Sequence, residues 1–350
     1  MGRIRCGVIG LGAGRAHIMG YRSHPEAEVA AIADVDGKRL NAVGEELGIK
    51  VRYESAEEML KSEKLDVVSV ATPNKFHKPL TLAALEAGCH VLCEKPMAMN
   101  AAEAREMLEA ASAADRRIMI NFSFRFNEVA ESCKSQVDAG MLGEVYFART
   151  CWLRRRGMPG FGGWFGQKAL AGGGPLIDLG VHRIDLALWL MGYPKPVWVL
   201  GSTYDHIASE AARKQKAAFD VEDFAVGLVK FDNGATLEAE ASWAGYIKEW
   251  EMMETRLLGT RGGMLYHNIG ESYQFEAEIF TEREGQHFDT KLHPMGNPPS
   301  SAMRHFIDSI LAGKPHTATG EEGLIVMQLL DALYQSAATG APVHIEHKGA

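Results

Sequence analysis

Ile4-Arg5-Cys6-Gly7-Val8-Ile9 runs directly into Gly10-Leu11-Gly12-Ala13-Gly14-Arg15-Ala16-His17. The first six residues read as a short buried strand. The glycines mark a turn, and a helical pattern then continues through Tyr21. Val29-Ala30-Ala31-Ile32-Ala33 is a second apolar run, closed by Asp34. Strand, glycine turn, helix, strand and acidic residue together make a βαβ unit suited to a dinucleotide. Gly10, Gly12 and Gly14, with Ala13 between them, allow a tight turn and let the backbone approach a pyrophosphate at a helix N-terminus. Asp34 stands 22 residues after Gly12, where a carboxylate accepts from the adenosine ribose diol. A 2′-phosphate would meet its negative charge, so NAD is expected and NADP is disfavoured. Arg15 occupies the place of the third glycine in G-x-G-x-x-G. The turn is therefore read as one residue shorter, with Arg15 as a second candidate for a phosphate.

The alternation continues outward from this unit. A helix stops at Gly48, and Ser55 with Glu58 forms a capping-box pattern opening the next. Residues 65–71 read as a strand ending in Thr72-Pro73-Asn74. A helix over 79–87 follows, then a strand over His90–Cys93 ending in Glu94-Lys95-Pro96. A helix over Ala101–Ala114 and a strand over 117–122, reaching Asn121, complete the series. This is an α/β pattern with a doubly wound parallel sheet, whose ligands gather at the carboxyl ends of strands. Gly10, Asp34, Thr72, Glu94 and Asn121 all fall there, and Gly10, Asp34, Thr72, Pro73, Asn74, Glu94 and Lys95 are candidate cofactor-binding residues.

At 350 residues the chain is long enough for about two domains, and its 46% hydrophobic and 23% charged content is that of a globular protein. The net charge of −8 argues against a nucleic-acid partner. Cys6, Cys89, Cys93, Cys133 and Cys151 are scattered, which reads as reduced thiols in a cytoplasmic protein. No metal site is expected. No apolar run reaches the ~18 residues a membrane span needs.

The second stretch with chemistry is Gly172-Gly173-Gly174-Pro175-Leu176-Ile177-Asp178-Leu179-Gly180-Val181-His182-Arg183-Ile184-Asp185-Leu186-Ala187-Leu188-Trp189. On an α-helix the spacing of Asp178, His182 and Asp185 puts them on one face. A carboxylate one turn from an imidazole suits general acid–base work; the plain alternative is a helix start with a polar outer face. Around it, strands are expected over 144–152, 197–203, Phe224–Phe231, 236–243, 254–259, 262–266, 274–277 and 278–280. Asn233-Gly234 marks a hairpin. These make an α+β domain with a large, mostly antiparallel open sheet, and helices over Ala302–Leu311 and 323–338 close the chain. The Arg-, Gly- and aromatic-rich residues 154–166 read either as a loop over the active site, with Arg156 and Trp164 as sugar contacts, or as a loop with buried anchors. His24, His206, His267, His287, His293, His305 and His316 form no ligand spacing and read as surface or supporting residues.

The Rossmann unit, Ala71-Thr72-Pro73-Asn74 with His77, Glu94-Lys95-Pro96, and the Gly173-to-His182 motif together resemble the glucose–fructose oxidoreductase / inositol dehydrogenase / rhizopine-catabolism (Gfo/Idh/MocA) family. The resemblance covers nearly the whole chain, and Val221-Glu222-Asp223-Phe224-Ala225 fits its second domain. It implies a dinucleotide-binding domain over 1–125 and a substrate-binding and oligomerisation domain over 126–350. It implies NAD as cofactor and a carbohydrate or polyol as substrate. Lys95, Asp178 and His182 are the implied catalytic residues, Asp178 and His182 also touching substrate. His77 and Arg125 are implied near the cofactor, and the Lys95–Pro96 peptide is implied to be cis. A homodimer or homotetramer through the C-terminal sheet is the implied assembly.

Lys95 at a strand end can take a proton at lowered pKa or polarise an oxygen as a cation; it and His182 remain interchangeable as the base. Two competing functions stay open: a redox-neutral sugar enzyme that retains its NAD, and a cofactor-sensing regulator without chemistry.

Overall fold

A computed structural model describes residues 2–294 and 301–345. The chain divides into two compact units, one of Met1–Phe122 with Ser300–Met327, the other of Ser123–Pro299 with Gln328–Ala350.

The first unit opens with β1 (Ile4–Ile9), α1 (Gly14–Arg22), β2 (Ala27–Ala33), α2 (Gly37–Glu46), β3 (Arg52–Tyr53) and α3 (Ala56–Ser62). It continues with β4 (Val67–Val70), α4 (His77–Glu86), β5 (His90–Cys93), α5 (Ala101–Ala114) and β6 (Ile118–Ile120). Every strand pairs in parallel, in the order β3-β2-β1-β4-β5-β6. Such strands are covered on both faces, so they read as continuous apolar runs. Val8, Ile32, Val67, Val70, Val91 and Leu92 are accordingly all sealed from solvent. The strand order reverses between β1 and β4, and ligands of doubly wound sheets bind at that switch point. Ser55 caps α3 by accepting from Glu58 N, as the capping pattern requires.

The second unit holds α6 (Glu128–Asp138), β7 (Val145–Arg154), α7 (Lys168–Ala171), α8 (Val181–Leu190), β8 (Pro196–Tyr204) and α9 (His206–Gln215). After these come β9 (Phe224–Phe231), β10 (Thr236–Ser242), β11 (Glu251–Gly259), β12 (Gly262–Asn268), β13 (Phe275–Arg283) and β14 (Gln286–Leu292). Its nine-stranded sheet runs β14-β13-β12-β11-β7-β10-β9-β8-β15, β15 being Val343–His344. Only the β10–β7 pairing is parallel. One face packs against α6 and α8. Burial alternates residue by residue along β9, β10 and β12, the period of a sheet covered on one side.

Three details depart from the sequence expectation. The runs at 274–277 and 278–280 are one strand, β13. An unanticipated helix, α9, precedes β9; its first amides are capped by Asp223 Oδ2, which accepts from Ile207 N and Ala208 N at 2.7 Å. The polar edge strand β14 was also unforeseen.

After the second unit's strands, α10 (Ala302–Leu311) returns to the first unit, where Met303 lies against Gly20 of α1. The last helix, α11 (Gly320–Thr339), begins in the first unit and ends in the second.

Candidate active site

In the first unit the three glycines after β1 are glycine for three different reasons. Gly10 has φ +85°, and a Cβ there would lie 2.5 Å from Ala71 O at the end of β4. Gly14 opens α1 so close to β1 that a Cβ would sit 2.8 Å from Val8 Cγ1. Gly14 thus does the helix–strand packing one residue earlier than the usual third glycine, consistent with the shortened turn. Gly12 has ordinary φ and nothing within 4 Å of the missing Cβ. The protein itself does not require a glycine there. The open space beside Gly12 and Ala13 is what a pyrophosphate approaching the backbone needs. No acidic side chain stands in the first turn of α1, and Ala13 gives no side-chain cap, so the helix N-terminus is left for an anion. Arg15 is drawn instead into an exposed ion pair with Glu46.

Asp34, the residue after β2, is buried. Its Oδ2 accepts from Leu11 N at 2.7 Å, linking the ribose-binding candidate to the glycine turn. Burial pushes its carboxyl up, but Arg39 and the Asp36 and Leu11 amides outweigh this and hold it below its ordinary value.

At the ends of β4 and β5 a clamp forms. The Lys95–Pro96 peptide is cis. The buried His77 ring stands 2.7 Å from Pro96 O through Nδ1 and 2.8 Å from Thr72 O through Nε2, tying the two strand ends together. Burial lowers its pKa against the pull of the two carbonyls. Thr72 Oγ1 is buried with no hydrogen-bond partner among the described residues. Asn74 is buried in the short turn before α4.

Glu94 carries a network that sequence reasoning did not assign. Its Oε1 lies 2.8 Å from His17 Nε2 and accepts from Asn121 Nδ2 at 2.6 Å; its Oε2 accepts from Lys95 N at 3.1 Å. His17 Nδ1 meets Ser69 Oγ, which meets Tyr21 OH. Burial alone would raise the Glu94 pKa. The His17 ring, Lys95 and Asn121 override it and hold the carboxyl at about 2. A fixed anion therefore anchors the backbone from which Lys95 projects. The signal lay in the quoted stretch: His17 is three residues past Gly14, on the first turn of α1.

In the second unit the glycine-rich motif does not begin as an α-helix. Leu176–Gly180 is a π-helical turn, Val181 N–H reaching back to Leu176 O, and only from Val181 does α8 run as expected. The common-face reading of Asp178, His182 and Asp185 needs correcting. Asp185 is buried and receives the Arg125 guanidinium, Nε to Oδ2 at 2.9 Å and Nη2 to Oδ1 at 2.6 Å. Arg125 is itself sealed from solvent and also faces the Tyr193 ring. Asp178 is half-buried, and its Oδ2 accepts from Trp243 Nε1 at 3.1 Å. The His182 ring lies edge-on to Phe124 and beside Trp152, with centroids 5.2 and 5.7 Å away.

The start of this motif is held by Glu222, whose oxygens accept from Gly174 N at 2.9 Å, Leu176 N at 3.1 Å and Tyr334 OH at 2.8 Å. Burial raises the Glu222 pKa.

Residues 155–166 run mostly without regular structure, as expected. Trp164 stacks on Phe165 with centroids 3.9 Å apart, and Arg156 lies exposed over the Tyr246 ring at 3.5 Å. His24 is buried, Nε2 3.0 Å from Asp308, and so is not a surface residue. All five cysteines are buried and free. No helix among the described residues is long and apolar enough to cross a membrane.

Comparison with known proteins agrees with this geometry. Residues 4–122 match the model of an oxidoreductase family described as an NAD-binding Rossmann fold, and residues 134–345 match that family's C-terminal alpha/beta domain. The chain is 36% identical to D-glucoside 3-dehydrogenase of Escherichia coli strain K12, over 98% of this chain and 97% of the relative. It superposes on aldose-aldose oxidoreductase from Caulobacter crescentus, solved with glycerol, with a TM-score of 0.84 and 26% identity over 98% and 100% of the two chains. Levoglucosan dehydrogenase, solved with NADH, shares the fold with a TM-score of 0.87 at 22% identity over 98% and 99%.

Proposed function

Because the chain belongs to the Gfo/Idh/MocA oxidoreductase family, we propose that it is an NAD-dependent dehydrogenase acting on a sugar, inositol or sugar derivative. The reaction is hydride transfer between a secondary hydroxyl, or the corresponding ketone, and NAD. One observation carries this reading: both family domains match in order along the chain, and a relative 36% identical over 98% of it is named a D-glucoside 3-dehydrogenase.

Bound NAD supplies the acceptor for the hydride. The chain's own residues bind it and handle the proton. Gly10, Gly12, Ala13 and Gly14 receive the pyrophosphate, with Arg15 close by, and Asp34 takes the adenosine ribose. Thr72, Pro73, Asn74, His77 and Glu94 shape the strand ends, and Arg125 supports the second unit's contribution. A hydride leaves carbon only as its hydroxyl loses a proton, so a base must take that proton. His182 is that base. Lys95 polarises the oxygen or relays the proton, and Asp178, steadied by Trp243, holds the substrate. Arg156 and Trp164 contact the sugar through its hydroxyls and C–H faces.

The test is a panel of glycosides, sugars and polyols with NAD, read as NADH absorbance, with D-glucosides first. Formation of NADH with one class supports the reading. Turnover of a sugar without net NADH would sink it in favour of a retained-cofactor reaction.

The outward face of the nine-stranded sheet, with Leu200 and Tyr204 of β8 exposed, is the proposed homodimer or homotetramer interface. Light scattering that finds a monomer at micromolar concentration overturns this. The buried free thiols favour a reducing, cytoplasmic setting; oxidised cysteine pairs in protein isolated from its cell would contradict it.

A further inference from the structure

Two arginines are sealed inside the second unit, and they are held differently. Arg125 lies in the short turn Ser123–Phe126, and its fork closes on Asp185. Arg183, the residue after His182, meets no carboxylate among the described residues. Its Nε and Nη1 have no hydrogen-bond partner there, and Nη2 reaches only Met253 Sδ, at 3.8 Å. Aromatic rings enclose it instead. Phe124 is centred 4.3 Å from the guanidinium carbon, Phe275 5.6 Å, Trp152 5.7 Å and Tyr266 5.8 Å. Taking a cation out of water without an anion costs stability, and ring faces return only part of it. Burial accordingly lowers the Arg183 pKa, against the pull of Tyr266, Cys151 and Tyr273. A guanidinium starts so high that it stays charged near neutral pH. Packing alone would be served as well by an apolar side chain.

Two of the enclosing rings also wall His182. Phe124 is centred 5.2 Å and Trp152 5.7 Å from the imidazole. The 4.3 and 5.2 Å spans that meet at Phe124 keep guanidinium and imidazole no more than roughly 10 Å apart. At an effective dielectric of about 20, two unit charges at that separation move a titration midpoint by about one pH unit. Arg183 is sealed from solvent, so salt screens it little.

The other charges around His182 are largely compensated. Asp185, one turn on, is matched by Arg125. Beyond Trp152, Glu251 of β11 accepts from Arg154 Nε and Trp152 Nε1, both at 2.7 Å. Tyr273, edge-on to Trp152, and Tyr266 stay neutral, burial pushing both phenols up. α6, packed against α8, brings Lys134 paired with Asp138, and Glu128 and Glu131 at its start. Asp178, on the π turn before His182, is the anion that favours an imidazolium, and Trp243 donates to it.

From this geometry we infer that Arg183 is a positioning residue for His182: its fixed, buried charge disfavours an imidazolium beside Phe124 and Trp152, and so keeps His182 in the neutral form that accepts a proton. The inference rests on the reading of His182 as the base.

The experiment is an NMR titration of the histidine imidazoles in the full chain without substrate. It compares the parent with Arg183→Met and Arg183→Gln, two neutral replacements of which either serves if the other does not fold. His182→Asn assigns the signal among the 13 histidines. Phe275→Leu loosens the same aromatic enclosure and keeps the charge. Thermal melts establish that each variant folds. Without the charge the His182 midpoint should move up by about one pH unit; in Phe275→Leu it should stay. With the substrate that the NADH panel identifies, kcat/KM of the neutral variants should fall about tenfold on the acid side of the limb and approach the parent above it.

A midpoint that stays, or moves down, in a folded neutral variant makes Arg183 a packing residue and overturns the inference. An equal rise in Phe275→Leu assigns the effect to loosened packing and overturns it too. If the midpoint rises and the kcat/KM limb does not follow, the charge acts as inferred and the reading of His182 as the base fails. The NMR titration needs no substrate, so it decides the inference even where the dehydrogenase reading fails.

Discussion

Replacing Gly10, Gly12 and Gly14 one at a time should separate folding from binding. At Gly10 a Cβ meets backbone, 2.5 Å from Ala71 O, in a residue with φ +85°. Strain and clash together should cost about 2–5 kcal/mol. At Gly14 the obstacle is Val8 Cγ1 at 2.8 Å in the packed interior, an overpacking worth about 1–3 kcal/mol. At Gly12 nothing lies within 4 Å and φ is ordinary. Gly12→Ala should range from neutral to about 1 kcal/mol more stable, because the unfolded chain loses freedom. Each kcal/mol moves a melting midpoint by roughly 2–4 °C in a domain of roughly 150–250 residues.

Binding should rank the other way. A side chain at Gly12 keeps a pyrophosphate off the amides, and each lost charge-assisted bond is worth about 1.5–3 kcal/mol. Gly12→Val should therefore lose about tenfold to a hundredfold in NAD affinity while melting near the parent. Scanning fluorimetry and calorimetric titration read the two quantities on the same samples. If Gly12→Val binds NAD like the parent, the pyrophosphate does not pass there. If Gly12→Ala melts as low as Gly14→Ala, the open space is not open.

Asp34→Ala should weaken NAD more than NADP and narrow the difference between them; a parent that already binds NADP more tightly would refute the ribose role of Asp34. Glu94, held at about 2 against an ordinary value near ~4.3, binds fewer protons folded than unfolded. Its stabilisation is present above roughly pH 5 and fades as pH falls towards roughly 2. The parent's melting point should thus drop faster with acid than that of Glu94→Gln, and parallel curves would count against the network. Lys95→Ala and His182→Ala should each lose about 10²–10⁴ in kcat while the protein still folds and still binds NAD. The parent's kcat/KM should rise with pH as the base loses its proton, and His182→Ala should change that limb, whereas near-parental kcat in that variant makes the histidine structural. Trp164→Ala and Arg156→Ala should raise the substrate KM and spare NAD affinity; the reverse pattern assigns the loop to the cofactor.

What the sequence disclosed follows from the range of the forces involved. Parallel strands sealed on both faces leave unbroken apolar runs, so β1, β2, β4 and β5 were legible, as were the glycine turn and Asp34. Helix α9 was hidden because its amides are capped by Asp223 from beyond the helix rather than by its own first residue. Strand β14 is an exposed polar edge and has no buried face to create alternation. The roles of His17 and Arg39 were missed for a different reason. Each acts through a partner on another strand end or turn, Glu94 and Asp34, and neither residue type is rare enough to announce itself. The π turn at Leu176–Gly180 was invisible to spacing arguments, which assume a uniform helical period.

The glycines before that turn show how such long-range partners shape a candidate catalytic element. Gly172 has φ +86° and ends α7 in the left-handed region, a local demand. Gly173 and Gly174 have no such requirement. A Cβ on Gly173 would fall 2.0 Å from Tyr334 Oη, and one on Gly174 2.0 Å from Glu222 O. These two glycines are set by packing against α11 and the segment before β9. The same two neighbours then fix the helix start, since Tyr334 OH donates to Glu222, which accepts from Gly174 N and Leu176 N. Asp178 stands two residues further on, with Trp243 on its carboxylate. The element bearing Asp178 and His182 is thereby tied at its start to parts of the second unit distant in sequence, the kind of support that keeps reactive groups in place without reorganisation. At Gly12, by contrast, no protein atom lies within 4 Å of the missing Cβ, and the pyrophosphate proposed to pass there is the reason offered for the glycine. The same residue type thus has three causes in one chain, distinguished by the backbone angle and by what surrounds the missing Cβ.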